Sequence, residues 1–179
     1  MVSLITIFVC ALVLLAAVTD FLSLKIPNII PVFIVLSFLF LLAFEPVALQ
    51  DINARLVTVA ILFITTFIMY AVNMLGAGDS KLLAVLGLWI PAASFWPFIL
   101  IMASAGAVLG FIALYVRKSR IGFSWLPEES WFGQLRAGRN AVPYAVAIAV
   151  AAVVAALPPA VRAGPALIRR QRLRDSPRL

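Results

Sequence analysis

Long apolar runs separated by short polar punctuation organise this chain. Uncharged stretches extend from Val2 to Thr19, Ile26 to Phe44, Leu56 to Gly78 and Asn140 to Val161, and a fifth, Leu82 to Val116, is interrupted by Pro91 and Pro97. A helix crossing a bilayer needs about 20 apolar residues, within a usable range of roughly 17 to 25. Proline removes a backbone donor and disfavours helix in the residue before it, so the segment from Pro91 to Pro97 reads as a turn that splits the fifth run into two shorter spans. The pattern predicts an all-α polytopic membrane protein with six transmembrane helices, at approximately 2–24, 28–45, 55–75, 80–92, 95–116 and 140–161. These form one membrane domain over residues 1–161, followed by an Arg-rich tail at 162–179 that is expected to be disordered.

Composition agrees with lipid as the principal solvent. Hydrophobic residues make up 65% of the chain and charged ones 12%, with a mean hydropathy of +1.15, outside the range of an ordinary soluble domain. The formal charge of +7 suggests nucleic acid until it is located along the chain. Arg162, Arg169, Arg170, Arg172, Arg174 and Arg178 all sit in the tail, and the body before them is nearly balanced at +2. The tail is therefore expected to meet lipid headgroups or remain in solvent, and no nucleic-acid partner is expected. Cys10 is the single cysteine, which removes any intramolecular disulfide or CxxC zinc site. No Lys or Arg precedes the first apolar run, so it is expected to be a retained span rather than a cleaved signal peptide.

Basic residues in short loops mark the cytoplasmic side. Lys25 follows the first span, Lys81 precedes the fourth, and Arg117, Lys118, Arg120, Arg136 and Arg139 lie between the fifth and sixth. In a six-span alternation all three connections share one face, whereas Glu45, Asp51 and Arg55 fall on the other, which predicts an N-terminus outside. The same alternation puts the arginine-rich tail outside, against the charge rule; the body is expected to set the topology and the tail to be tolerated there.

Two acids stand at the edges of apolar spans, where an Asp costs about 2.5–3.5 kcal/mol at a helix centre on insertion scales. Asp20 ends the first span in Val18-Thr19-Asp20-Phe21-Leu22-Ser23-Leu24-Lys25-Ile26-Pro27-Asn28, and Asp79 lies in Gly76-Ala77-Gly78-Asp79-Ser80-Lys81-Leu82. The topology puts both near the cytoplasmic boundary. Two carboxyl groups brought together in a poorly solvated place tend to share one proton, the state an aspartic protease uses to activate water and protonate the oxyanion. The absence of His excludes Ser-His and Cys-His triads and HExxH zinc sites, and no cofactor is needed. Gly76 and Gly78 are expected to give the backbone conformations closed to other residues and to let a substrate strand approach.

Each feature also has an ordinary reading. Asp79 before Ser-Lys-Leu-Leu suits a helix N-cap, Asp20 suits an interfacial partner of Lys25, and Pro27-Asn28 suits the turn that opens the second span. Lys25 and Lys81 suit topology anchors, and Trp89, Trp96, Trp125 and Trp131 suit interfacial anchors.

In combination, Asp20 with Lys25-Ile26-Pro27-Asn28, followed by Gly76-Ala77-Gly78-Asp79-Ser80-Lys81-Leu82, resembles the paired signature of type IV prepilin peptidases, the GxGD-type aspartic proteases of the membrane. Val142-Pro143-Tyr144-Ala145 at the start of the last span is similar to a weaker Pro-aromatic-small element of that family. The resemblance covers roughly residues 1–158. It implies cleavage of a basic leader from a prepilin or pseudopilin on the cytosolic side of the bacterial inner membrane, with Asp20 and Asp79 as the catalytic acids. Gly76 and Gly78 would shape the active-site loop, and Lys81, Lys25, Pro27, Asn28 and Pro143 would support it. Longer members carry paired CxxC motifs and N-methylate the new terminus. With one Cys, this chain resembles the short, peptidase-only form associated with Tad or Flp-type pilus assembly. The segment from Arg117 to Arg139, with Glu128 and Glu129 as candidate contacts to a basic leader, matches no motif and is expected to be a solvated amphipathic surface segment.

Two other classes compete. A small proton- or ion-coupled transporter would use Asp20 and Asp79 as its ion site, but needs a polar path across the bilayer where the spans offer only scattered Ser, Thr and Asn73. A noncatalytic platform of a pilus or secretion assembly would give the two acids no reason to converge.

Overall fold

Apolar side chains with few backbone-breaking residues among them leave the main chain one economical solution in lipid: to satisfy its hydrogen bonds within helices. The computed structural model describes residues 2–44, 52–119, 130–136 and 142–156, and among these the regular elements are all helical. In chain order they are α1 (Val2–Ser23), α2 (Ile29–Phe44), α3 (Ile52–Ala71), α4 (Ala77–Leu86), α5 (Phe95–Ser119), α6 (Trp131–Arg136) and α7 (Tyr144–Ala156). A 3-10 turn at Ala92–Ser94 leads into α5.

Three helices are long and apolar enough to cross a membrane: α1 over Leu4–Ser23, α3 over Ile52–Ala71 and α5 over Phe95–Val116. The other spans expected from the sequence are shorter: α2 has 16 residues, α7 has 13 and α4 has 10. At 1.5 Å per residue, α4 reaches only about 15 Å. Its axis continues through tight turns in which the N–H groups of Leu88, Trp89 and Ile90 donate to Val85, Leu86 and Leu86, before Pro91 ends the run. Pro97, by contrast, lies within the first turn of α5, where its missing N–H costs no helical hydrogen bond.

The interior is built around α7, which packs most extensively against α1 and α5 and also touches α4. Its buried positions are Ala145, Ala147, Ile148, Ala149 and Ala151, and such small side chains let neighbouring backbones approach closely. Ala145, Ile148, Ala149 and Ala151 join Val13, Ala16, Ile34, Leu62, Leu82 and Phe98 in one cluster that spans α1 to α5 and α7. Many of the remaining apolar side chains face outward, among them Leu4, Phe63, Trp96 and Phe111, as a lipid-facing surface requires.

A second, smaller cluster corrects part of the sequence reading. Trp131 is not an interfacial anchor: only 2% of it is exposed, and its ring meets the edge of Phe21 at 5.7 Å. The segment 130–136, expected to be solvated, forms α6, whose Trp131 and Leu135 close over Ala113 of α5. Trp89 likewise points inward, donating from Nε1 to Ile34 O at 3.2 Å and standing edge-on to Phe38. Trp96, 70% exposed, keeps the surface position expected of it. Trp125, Glu128, Glu129 and the tail 162–179 lie outside the described residues.

Candidate active site

The last turn of α1 sets the position of Asp20. Leu24 follows the helix in the left-handed region (φ 51°), and its N–H donates to Asp20 O at 2.7 Å. This is a left-handed C-cap, a conformation costing a side chain other than Gly or Asn about 1–2 kcal/mol. Leu24 is held there by packing with Phe21 beside Trp131 and Leu135, so the α6 cluster supports the strained cap that ends the Asp20 helix. The connection then turns at Pro27, whose carbonyl accepts from Ile30 N–H at 3.1 Å, and α2 begins.

On the other side, α3 ends in a Schellman arrangement: Asn73 is left-handed (φ 58°), and the N–H groups of Asn73 and Met74 donate to Tyr70 O and Met69 O. Three residues later Gly76 caps α4, which corrects the ordinary reading of Asp79 as the N-cap. Asp79 is instead the third helical residue, a position from which a carboxyl reaches back to the capping N–H, and the Gly76 N–H interacts with it. Gly76 adopts ordinary extended angles (φ −70°, ψ 148°), so conformational freedom is not why glycine stands there. Space is the reason. A Cβ on Gly76 would lie 3.0 Å from Asp79 Oδ2, and one on Gly78 would lie 3.0 Å from Ile26 Cβ.

These two helix ends meet the start of α7. Asp20 and Asp79 are 5% and 6% exposed, and the N–H of Ala145 donates to Asp20 Oδ2 at 3.1 Å. The same N–H interacts with the Asp79 carboxyl, which also feels the charge of Asp20. Among the described residues no ion pair joins Asp20 to Lys25, and Asp79 Oδ1 is buried with no hydrogen-bond partner. A buried oxygen left without a donor is costly in an apolar surround, which makes this atom a natural place for a proton or a bound polar group.

Both carboxyl groups open on one cavity of about 320 Å³. Of the sequence candidates, Lys25, Asn28, Gly76, Gly78 and Lys81 line it with the two acids, and Leu24, Ile26 and Ala77 complete the wall. Pro27 is exposed outside the lining, and Pro143 is fully buried immediately before α7, where its carbonyl accepts from Val146 N–H. The two sequence motifs are joined directly by Lys81 Nζ, which donates to Asn28 Oδ1 at 3.1 Å. Ser80, between Asp79 and Lys81, ties α4 to α3 by donating to Thr66 Oγ1 at 3.0 Å.

Residues 7–112 match the type IV leader peptidase family. The chain belongs to that family. The peptidase is thus a membrane protein of a group whose peptide-cleaving chemistry is of the aspartic type. No curated protein and no solved structure matches it.

The matched stretch contains both acids and both glycines but stops within α5. Ala145, whose backbone donates to Asp20, lies beyond it on α7. The peptidase therefore completes its acid cluster with a main-chain N–H: the Val142-Pro143-Tyr144-Ala145 element marked the place in the sequence, but not the backbone donor at Ala145. Leu24 escaped the sequence reading, and Ile26, although part of the Lys25-to-Asn28 motif, was given no role of its own there.

Proposed function

We propose that this chain is an intramembrane-type aspartic endopeptidase that removes the basic leader of type IV-like prepilins at the cytoplasmic face of the bacterial inner membrane, in a Tad or Flp-type assembly system. Asp20 and Asp79 are its catalytic acids. The observation that carries the reading is their convergence: two buried carboxyl groups from different helix ends open on the same cavity and interact with the same Ala145 N–H. Two acids so close do not both ionise readily and divide one proton between them.

With the scissile peptide in the cavity, the ionised carboxylate takes a proton from water as the water oxygen bonds to the carbonyl carbon. The neutral acid passes its proton to the developing oxyanion. When the tetrahedral intermediate collapses, the C–N bond breaks and the leaving nitrogen takes a proton from the dyad, giving a new amine and a new carboxyl group. The helix ends bearing the acids coincide with the boundary expected on the Lys25 and Lys81 side, which suits a leader that stays in the cytoplasm. In this arrangement α1 to α5 and α7 are the six spans, and α6 lies along the cytoplasmic surface.

Co-expression with a prepilin and measurement of leader removal by size tests the reading. Asp20→Asn and Asp79→Asn each lower processing by about 10²-fold or more while the protein still inserts in the membrane. Unchanged processing in either variant overturns the dyad.

A further inference from the structure

A second cavity adjoins the first. An open groove of about 510 Å³ runs between α2, α3 and α4, and its walls are almost entirely apolar. Asn28 and Lys81, which line the acid cavity, also line the end of this groove. From that shared edge Asn28, just before α2, is followed at four-residue intervals by Val32 and Leu36 on α2, and Lys81 by Val85 on α4. Residues four apart stack on one helix face, so from the hydrogen-bonded Asn28–Lys81 pair the first stripe rises for about 12 Å and the second for about 6 Å. Phe63 of α3 forms the remaining wall. Val32, Leu36 and Phe63 are each about half exposed, so the groove faces outward rather than into the core.

We propose that this groove docks the apolar helix of the substrate, the segment that follows the leader, with its leader-proximal end at Asn28 and Lys81. The inference rests on the peptidase reading given above. Continuity selects the occupant. An apolar helix lying against the two stripes brings its own end to the mouth of the cavity holding Asp20 and Asp79. A lipid acyl chain in the same place presents no peptide bond there, and a second copy of this chain obstructs the entrance. Helix-in-groove docking of this kind takes its affinity from apolar anchors at helical spacing, which the α2 and α4 stripes match. Asn28 and Lys81 mark the change from apolar track to polar cavity, and so set how far along the substrate the acids act.

The test uses full-length protein in native membranes with a co-expressed, epitope-tagged type IV prepilin. A photoreactive benzoylphenylalanine replaces Leu36 in the Asp79→Asn protein, and, as a control, Leu4, which lines a neighbouring apolar cavity that shares Leu36 with the groove but no other residue. Irradiation is expected to join position 36 to the prepilin's apolar helix and position 4 to no prepilin. Adducts at position 36 only with lipid or a second copy, or equal prepilin adducts at both positions, overturn the proposal. In the same strains Val85→Trp, which fills the groove, lowers leader removal by about tenfold or more, whereas Leu4→Trp leaves it unchanged. Unaltered processing by a stably inserted Val85→Trp protein also overturns it. The parent protein, run alongside, keeps the two claims apart. Failure of the parent to remove the leader sinks the peptidase reading, whereas removal without the position 36 adduct sinks only the groove.

Discussion

The Lys81 ammonium donates to Asn28 Oδ1 across 3.1 Å, closing a gap of 53 positions in the sequence and fastening the start of α4 to the turn before α2. The pair is exposed, so its net worth to stability is about 0.5–1.5 kcal/mol. Its position between the acid cavity and the apolar groove is expected to give it more weight in processing than in folding. Asn28→Ala and Lys81→Met are expected to slow leader removal several-fold each, and the double variant no further than the slower single one, because both remove the same contact. Initial rates of processing in membranes check this; fully multiplicative effects refute it.

The glycines predict a graded series. Gly76→Ala sets a methyl group 3.0 Å from Asp79 Oδ2, so the carboxyl itself must move, and the main loss falls on processing. Gly78→Ala presses on Ile26 at 3.0 Å and is expected to cost about 1–3 kcal/mol of stability through overpacking, as well as slowing processing. Gly110→Ala in α5 meets nothing within 4 Å and is expected to preserve processing. Thermal unfolding in detergent, read beside leader removal, separates the three.

Ala145→Pro removes the N–H that donates to Asp20 Oδ2 at 3.1 Å and puts a ring carbon in its place, so the Asp20 carboxyl loses its donor and must also shift away. Ala145 is the second residue of α7, where proline interrupts no helical hydrogen bond. A hydrogen bond to a charged group contributes about 1.5–3 kcal/mol, so processing is expected to fall by about ten- to a hundredfold. Circular dichroism with unchanged helix content, beside a rate unaltered from the parent, would refute the role of this N–H.

Ser80→Ala deletes the buried hydroxyl that donates to Thr66 Oγ1. It is expected to lower stability by about 1 kcal/mol, with Thr66→Val acting through the same contact. Thermal unfolding of both single variants and the double variant checks the coupling, which is positive if the bond links α4 to α3 as described.

Much of the fold was legible because the relevant signals are local. The run that begins at Val2 needed no partner to be recognised as a helix, nor did the break at Pro91. Asp20 and Asp79 were legible for a related reason: an acid beside apolar sequence is expensive wherever it sits, and only a few uses justify the cost. Helix lengths were less secure. Apolar residues continue past Ala71 through Val72, but Asn73 adopts the left-handed turn that ends α3, so composition overestimated the helix.

The residues themselves determined that this chain folds as apolar helices and sets two acids from distant motifs at the edges of apolar runs, because hydropathy and residue type are properties of the sequence alone. Tertiary structure decided which groups meet. It brought the Ala145 N–H to the acids, buried Trp131 under the Asp20 helix and made Gly76 and Gly78 matters of space rather than of backbone angle. The physical reason is that a main-chain donor, a close approach and a shared cavity wall exist only once separate helix ends are packed together, and no residue type encodes them by itself.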